Sequence, residues 1–238
     1  MGDEHSPKDS QYGGGRLIWA GPIFLTAVCC FAPAMIGHAQ DLGTRANFTA
    51  QPILDPAQPA NIWERGVGEG FRADAQSITL SAGASYALAI LGSVQAHDLA
   101  LVSLAHGHML DHTLAVGHWY RGNFELRAEL FTGAQFSPSS DWLVGLTPHL
   151  RYNFATGTRL SPFIDAGAGV TTTGIGPPDL SGTFEFNLQG GAGIRWFFKD
   201  DLALSVEGHY LHISCAGIHK PNLGLNGVMG TLGISFFF

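Results

Sequence analysis

Apolar and polar residues alternate with a period of two over most of the chain beyond residue 75. In DWLVGLTPHLRYNF, Trp142, Val144, Leu146, Leu150, Tyr152 and Phe154 alternate with Gly145, Thr147, His149, Arg151 and Asn153. In GTFEFNLQGGAGIRWFF, Phe184, Phe186, Leu188, Ala192, Ile194 and Trp196 oppose Glu185, Asn187, Gln189 and Arg195. In NFELRAEL, Phe124, Leu126, Ala128 and Leu130 oppose Glu125, Arg127 and Glu129. Weaker alternation runs through 78–88, 98–110, 162–172, 202–214 and 228–238. A period of two sends successive side chains to opposite faces of a strand. The pattern predicts about eight strands, each of the ~9–11 residues or slightly more that a tilted membrane strand needs.

A soluble β-sandwich alternates too, with its apolar face inward. Here the polar face holds almost no lysine, since only Lys199 and Lys220 follow residue 39. Glu, Arg, His, Asn and Gln dominate it instead, in combinations that can pair and fill the interior of a small barrel. Of the 238 residues 45% are hydrophobic and 13% charged, against roughly 25% charged in ordinary soluble domains. Gly167, Gly169, Gly190, Gly191 and Gly193 suit close backbone approach in such a sheet. A nucleotide-binding loop would need a helix after these glycines, and none is visible. The segment VMGTLGISFFF would be an aggregation-prone edge in an open sheet, a liability that barrel closure removes. A last strand ending at Phe238 resembles the signal that the barrel-assembly machinery of the outer membrane reads. The expected fold is therefore all-β, an eight-stranded antiparallel transmembrane β-barrel over 75–238, in the bacterial outer membrane.

The N-terminal part fits export. Residues 17–36 form an apolar run behind Arg16, followed by GHAQD, and read as a signal peptide cleaved after Ala39. The alternative is an uncleaved anchor, since the run approaches the ~20 residues that span a bilayer. Pro22, Pro33 and the small residues near Ala39 favour cleavage. Beyond Ala39 no apolar run is long enough for a helical span. Cys29 and Cys30 would leave with the leader, so Cys215 alone stays and no internal disulfide forms. Residues 40–74 read as an extension with a short ordered piece around 62–71. A net charge of −7 gives no basic surface for nucleic acid. His97, His106, His108, His112 and His118 lack accompanying carboxylate–cysteine clusters and read as interfacial residues, with no metal or other cofactor expected. No Gly-x-Ser-x-Gly elbow is present, which excludes the α/β-hydrolase route to an esterase.

The candidate chemistry lies at the end of DLALSVEGHYLHIS. Continuing the apolar face of Leu202, Leu204, Val206 and Tyr210 places His212 and Ser214 on that same face. The short turns at 155–159 and 199–201 mark the periplasmic side, so both residues fall near the extracellular end and face lipid. Polar side chains are costly there. Two residues apart on a strand is ~6.6 Å, a gap a histidine spans to activate a serine hydroxyl. Spacing alone fits an ordinary interfacial pair better than an active site. Glu207 has the opposite parity and points to the lumen.

The longer stretch HISCAGIHKPNLGLN resembles the signature of the lipid A 3-O-deacylases, the PagL-type barrels. That signature is His-x-Ser-Asn-Ala-Gly/Ser, a spacer, Pro-Asn-x-Gly, and an acid two residues later. RGNFELRAELFTG, LTPHLRYNF, SPFIDAGAGV and FNLQGGAGIRWFF resemble successive strands of that family, so the likeness runs from about residue 75 to the end. It implies an esterase that removes the ester-linked 3-hydroxyacyl chain at the 3-position of lipid A in lipopolysaccharide. Carried over, Ser214 is the nucleophile, His212 the general base, and Asn222 with backbone N–H groups near Ala216 and Gly217 the oxyanion donors. Asn226 stands where the family has its acid, on the His212 face by parity; it can hold a tautomer but supplies no charge. Cys215 replaces the asparagine after the serine. The resemblance also allows a homodimer. The alternative is a non-enzymatic barrel, structural or adhesive, that kept the fold and lost the activity, although the loops after the first, third and fifth strands look modest for adhesion.

Overall fold

The computed structural model describes residues 61–93 and 95–238. The expected leader, 1–39, and residues 40–60 of the extension lie outside the described residues. Eight strands follow in order: β1 (Gln76–Ala87), β2 (Asp98–Met109), β3 (Gly122–Ser137), β4 (Asp141–Phe154), β5 (Leu160–Thr173), β6 (Phe184–Phe197), β7 (Leu202–Ser214) and β8 (Leu225–Phe237). Each pairs antiparallel with the next, and β8 pairs with β1 to close the barrel. Gln76 and Phe238 exchange backbone hydrogen bonds of 2.8 and 2.9 Å, so the ladder is sealed to its last residue. The one register shift in the β2–β3 ladder lies at Asp98/Leu99, and the β6–β7 and β7–β8 ladders run in unbroken register. The parity read from sequence therefore holds on β7 and β8.

The outer face is apolar and banded. Aliphatic residues such as Leu80, Leu104, Leu130, Leu146 and Val206 occupy the middle. Tyr86, Phe136, Trp142 and Phe184 ring one end, and Trp196, Phe198, Phe236 and Phe238 ring the end that carries residues 61–75 and β8's finish. Two aromatic girdles around an aliphatic band are what a lipid bilayer selects.

The lumen is filled by charge. Arg151 Nη2 reaches Asp165 at 2.6 Å and Glu207 at 2.9 Å, and its guanidinium lies 3.8 Å from the centroid of Phe163. Gly193 leaves the room for that ring, because a Cβ there would sit 2.4 Å from it. Arg195 pairs with Glu125 (3.1 Å), Arg127 with Glu129 (3.3 Å), and His209 with Asp165 (2.8 Å). Buried charges need such partners, since an unpaired one is strongly destabilising.

Apolar caps seal both mouths. Leu99, Leu143, Leu180, Leu211, Ile213 and Leu225 form one. At the other, residues 61–75 fold back as a plug. Trp63 stacks on Phe71 (4.7 Å between centroids) and meets Phe197 edge-on (4.8 Å), while Phe71 stacks on Phe237 (5.4 Å). The indole N–H donates to the Asp200 carbonyl at 2.9 Å, and Asn123 clasps the Phe71 backbone with bonds of 2.9 and 3.0 Å. Glu64 accepts from the Thr113 N–H (2.9 Å) and binds His112 (2.8 Å). Burial pushes its carboxyl up, but the bonds from Thr113 and His112 outweigh burial and hold it below the ordinary value.

Two outcomes are expected at the plug and one in the lumen. Trp63→Ala should loosen the plug and lower stability by about 3–5 kcal/mol, read as an earlier thermal transition in detergent. Because Glu64 has the lower carboxyl value when folded, its contribution is complete above the ordinary value of 4.5 and fades as pH falls through the folded one; Glu64→Gln should flatten that acid limb. Arg151→Met should cost about 3–5 kcal/mol by stranding Asp165 and Glu207, seen as a lower denaturant midpoint for the compact form on gels.

Candidate active site

The ladder sets His212 directly opposite Asn226 on β8 and Ser214 opposite Phe186 on β6. Leu211, Ile213 and Leu225 anchor the intervening positions in the apolar cap, so their outward neighbours stand on fixed backbone. His212 Nε2 lies 2.9 Å from Ser214 Oγ, and His212 Nδ1 lies 2.7 Å from Asn226 Oδ1. His212 and Ser214 are half-buried, whereas Asn226 is 0% exposed although it faces outward.

The direction of each bond follows from Asn226. Its Nδ2 donates to the Ile90 carbonyl at 2.8 Å. A carbonyl oxygen only accepts, so the amide nitrogen must face Ile90 and the amide oxygen must face His212. Nδ1 therefore carries the hydrogen. Nε2 is left with its lone pair toward Ser214, whose hydroxyl donates to it, the arrangement of a base-activated nucleophile. Tyr210 Oη also donates to Asn226 Oδ1, at 2.5 Å. The Ile90 carbonyl is itself placed by a turn. Ser93 N–H donates to it at 3.1 Å, and Leu91 and Gly92 take φ of 52° and 97°, the sense of a type I′ turn.

The β7–β8 connection folds over this group. Directly after Ser214, Ala216 and Gly217 take φ of 53° and 82° in a turn closed by Ile218 N–H donating to the Cys215 carbonyl (3.1 Å). Gly224 has φ of 77°, and a Cβ there would stand 3.4 Å from His212 Cε1. The glycine of Pro-Asn-x-Gly is thus required by its left-handed backbone, while the contact a Cβ would make with His212 is an ordinary one. Leu223 and Gly224 donate to the Asp179 carbonyl at 3.0 and 2.9 Å, and Asp179 meets the buried His97 at 3.2 Å. Cys215 is buried with its sulfur 3.4 Å from the donating His219 N–H. Burial raises its thiol, but donors from Ser181, His219 and Gly217 outweigh that and hold it below the ordinary value.

The structure thus gathers Ser214, His212 and Asn226 into one hydrogen-bonded chain, and sets Ala216 and Gly217 immediately beside it. Asn222 is engaged elsewhere: its amide donates to Ser181 Oγ (3.2 Å) and Glu185 Oε2 (3.1 Å), and among the described residues it makes no hydrogen bond to Ser214 or His212. Sequence reading missed Tyr210, Glu185 and the Ile90 carbonyl. Tyr210 carried a usable signal, since it precedes His212 by two residues on the same face. A backbone carbonyl carries none. In the lumen, Asp165, Glu207 and His209 converge within 4.8 Å, but Arg151 already occupies the space between the two carboxylates.

Residues 102–235 match the sequence profile of the family described as "Lipid A 3-O-deacylase (PagL)". No curated protein sequence matches significantly. Among solved structures, the outer-membrane enzyme PagL is 21% identical over 66% of this chain and 97% of that one, with a TM-score of 0.48. Neisserial surface protein A (NspA) is 13% identical over 69% of this chain and 97% of that one, with a TM-score of 0.50, a likeness of fold. With more than half of its length matched by the profile, this chain belongs to the lipid A 3-O-deacylase (PagL) family and is a β-barrel of the bacterial outer membrane.

Proposed function

We propose that this chain is a serine esterase that removes the ester-linked 3-hydroxyacyl chain from the 3-position of lipid A. The observation that carries this reading is the Asn226–His212–Ser214 chain on the lipid-facing surface, at the end opposite residues 61–75. Lipid A in the outer leaflet lies alongside the barrel. The filled lumen offers it no route: a void between Ser81, Phe131 and Met229 measures about 10 Å³, room for one water. Leu188 and Phe186 flank His212 and Ser214 across the ladder and supply apolar surface for an acyl chain. Leu91 and Ile218 add exposed apolar side chains in the two loops beside the site.

In this reading Ser214 Oγ attacks the ester carbonyl carbon as its proton passes to His212 Nε2. The negative charge on the carbonyl oxygen is met by backbone N–H groups of the Ala216–Gly217 turn, that of Gly217 turning to it from the Cys215 sulfur. Asn222 could join them only by giving up Ser181 and Glu185. Collapse expels the sugar 3-oxygen, which takes the proton from His212. Water, deprotonated by the same imidazole, then releases the 3-hydroxy fatty acid and restores Ser214. The imidazolium formed on the way has an amide beside it and no counter-charge. That departure, together with Cys215 after the serine, is what favours the second reading, a barrel of this family without the activity.

Lipid A mass spectrometry, with and without expression of the chain, separates the two. Loss of one 3-hydroxyacyl mass is expected with the wild type. Ser214→Ala and His212→Ala should each lower the rate by on the order of 10⁴–10⁶ while the barrel stays folded. Gly224→Ala should also lower it, because alanine takes the φ of 77° only with strain and would shift the loop that covers His212. Unaltered lipid A in the wild-type sample would leave the non-enzymatic reading in place.

A further inference from the structure

An asparagine in third place has a failure mode that a carboxylate lacks. Turned over, its NH₂ would face His212 Nδ1, force the hydrogen onto Nε2, and leave Ser214 without a base. In serine proteases, replacing the triad acid by its amide costs about 10⁴ in kcat through this wrong tautomer. Here two groups oppose the flip. The Ile90 carbonyl accepts from Asn226 Nδ2 at 2.8 Å and would repel the amide oxygen, while Tyr210 Oη donates to Oδ1. The amide is fully buried, so no water replaces either partner.

We propose that the Ile90–Ser93 turn and Tyr210 are positioning elements, a clamp that fixes the Asn226 amide and thereby the Nδ1–H tautomer of His212. Its kinetic consequence rests on the esterase reading above; its effect on the tautomer does not. The clamp matters only to an amide. Both oxygens of a carboxylate accept, so an aspartate in this place has no wrong way round, and the Ile90 carbonyl would repel it rather than hold it. Gly92 offers a handle outside the site. A Cβ there meets nothing closer than the Leu223 carbonyl at 3.6 Å, yet its φ of 97° is one that other residues rarely adopt. Gly92→Val would re-aim the Ile90 carbonyl without touching Asn226, His212 or Ser214.

The test is a cycle on the purified barrel in detergent, with Gly92→Val and Tyr210→Phe made in the wild type and in an Asn226→Asp background. Each is assayed for lipid A deacylation and by ¹⁵N-histidine NMR, with His212 assigned from a His212→Gln spectrum. In the wild-type background, losing one orienting bond should slow deacylation about five- to tenfold, and the His212 signals should move from pure Nδ1–H toward a mixture. In the Asn226→Asp background, neither change should slow the reaction, and Gly92→Val should leave it equal or faster. Equal losses in both backgrounds, or an unchanged tautomer in both variants that keep Asn226, would overturn the clamp. Tyr210→Phe keeps the test decisive if Gly92→Val fails to fold. A shifted tautomer without deacylation by any variant, wild type included, would sustain the clamp and sink the esterase reading.

Discussion

Inside a bilayer a strand finds no water for its N–H and C=O groups, so every one must be satisfied by another strand. In this protein the constraint is met at the β8–β1 seam, which joins the last strand to the first from Ser77–Phe237 to Ala87–Gly227. Closure of that seam turns the phenylalanine-rich final strand from an exposed edge into one wall of eight. It also fixes which residues face lipid. With period two and no slip in the last ladders, all inward positions must then be filled by what the sequence provides there, which is polar with an ionic centre.

The ionic lumen and the two apolar caps are complementary solutions to one problem. Arg127, Arg151 and Arg195 are too costly to bury alone, and their carboxylate partners include residues on strands far apart in sequence, as with Arg195 and Glu125. The caps exclude water from both ends of this network, and a drier surround strengthens each pair. Residues 61–75 supply the plug at one end through Trp63 and Phe71. At the other end the cap residues Leu211, Ile213 and Leu225 are the immediate chain neighbours of His212, Ser214 and Asn226. Rigidity of the core thus passes directly to the outward residues of the candidate site.

The strands were legible because alternation is a local signal that the membrane enforces strictly: Trp142 to Phe154 and Phe184 to Trp196 read correctly from hydropathy alone. The pairing of His212 with Ser214 was legible for the same reason, being two residues apart on one strand. Asn226 needed parity plus the motif. The plug was read only as a short ordered piece, because Trp63 and Phe71 sit in a stretch without periodicity and their partners Phe197 and Phe237 lie more than a hundred residues away. Asn222 carries a tie that its motif did not announce. Its place suggested chemistry, and its amide holds the β7–β8 loop to Glu185. Backbone groups such as the Ile90 carbonyl leave no mark in a sequence.

The seam that solves the edge problem also assembles the candidate site. Beyond the regular ladder, Leu88 N–H still donates to the Asn226 carbonyl at 2.8 Å, which carries the β1–β2 loop up against β8. That contact brings the Ile90 carbonyl within reach of the Asn226 amide. A barrel left open at β8–β1 would keep His212 and Ser214 in place on β7 but would have nothing to orient the residue between the imidazole and the loop. With an acid at this position the orientation would be indifferent, and the loop could vary freely. With asparagine it is not: the loop's conformation, including the left-handed Leu91 that costs roughly 1–2 kcal/mol, is tied to the chemistry of a side chain two strands away. The asparagine in the acid's place and the shape of the β1–β2 turn are therefore one feature of this chain, held together by the closure of the barrel.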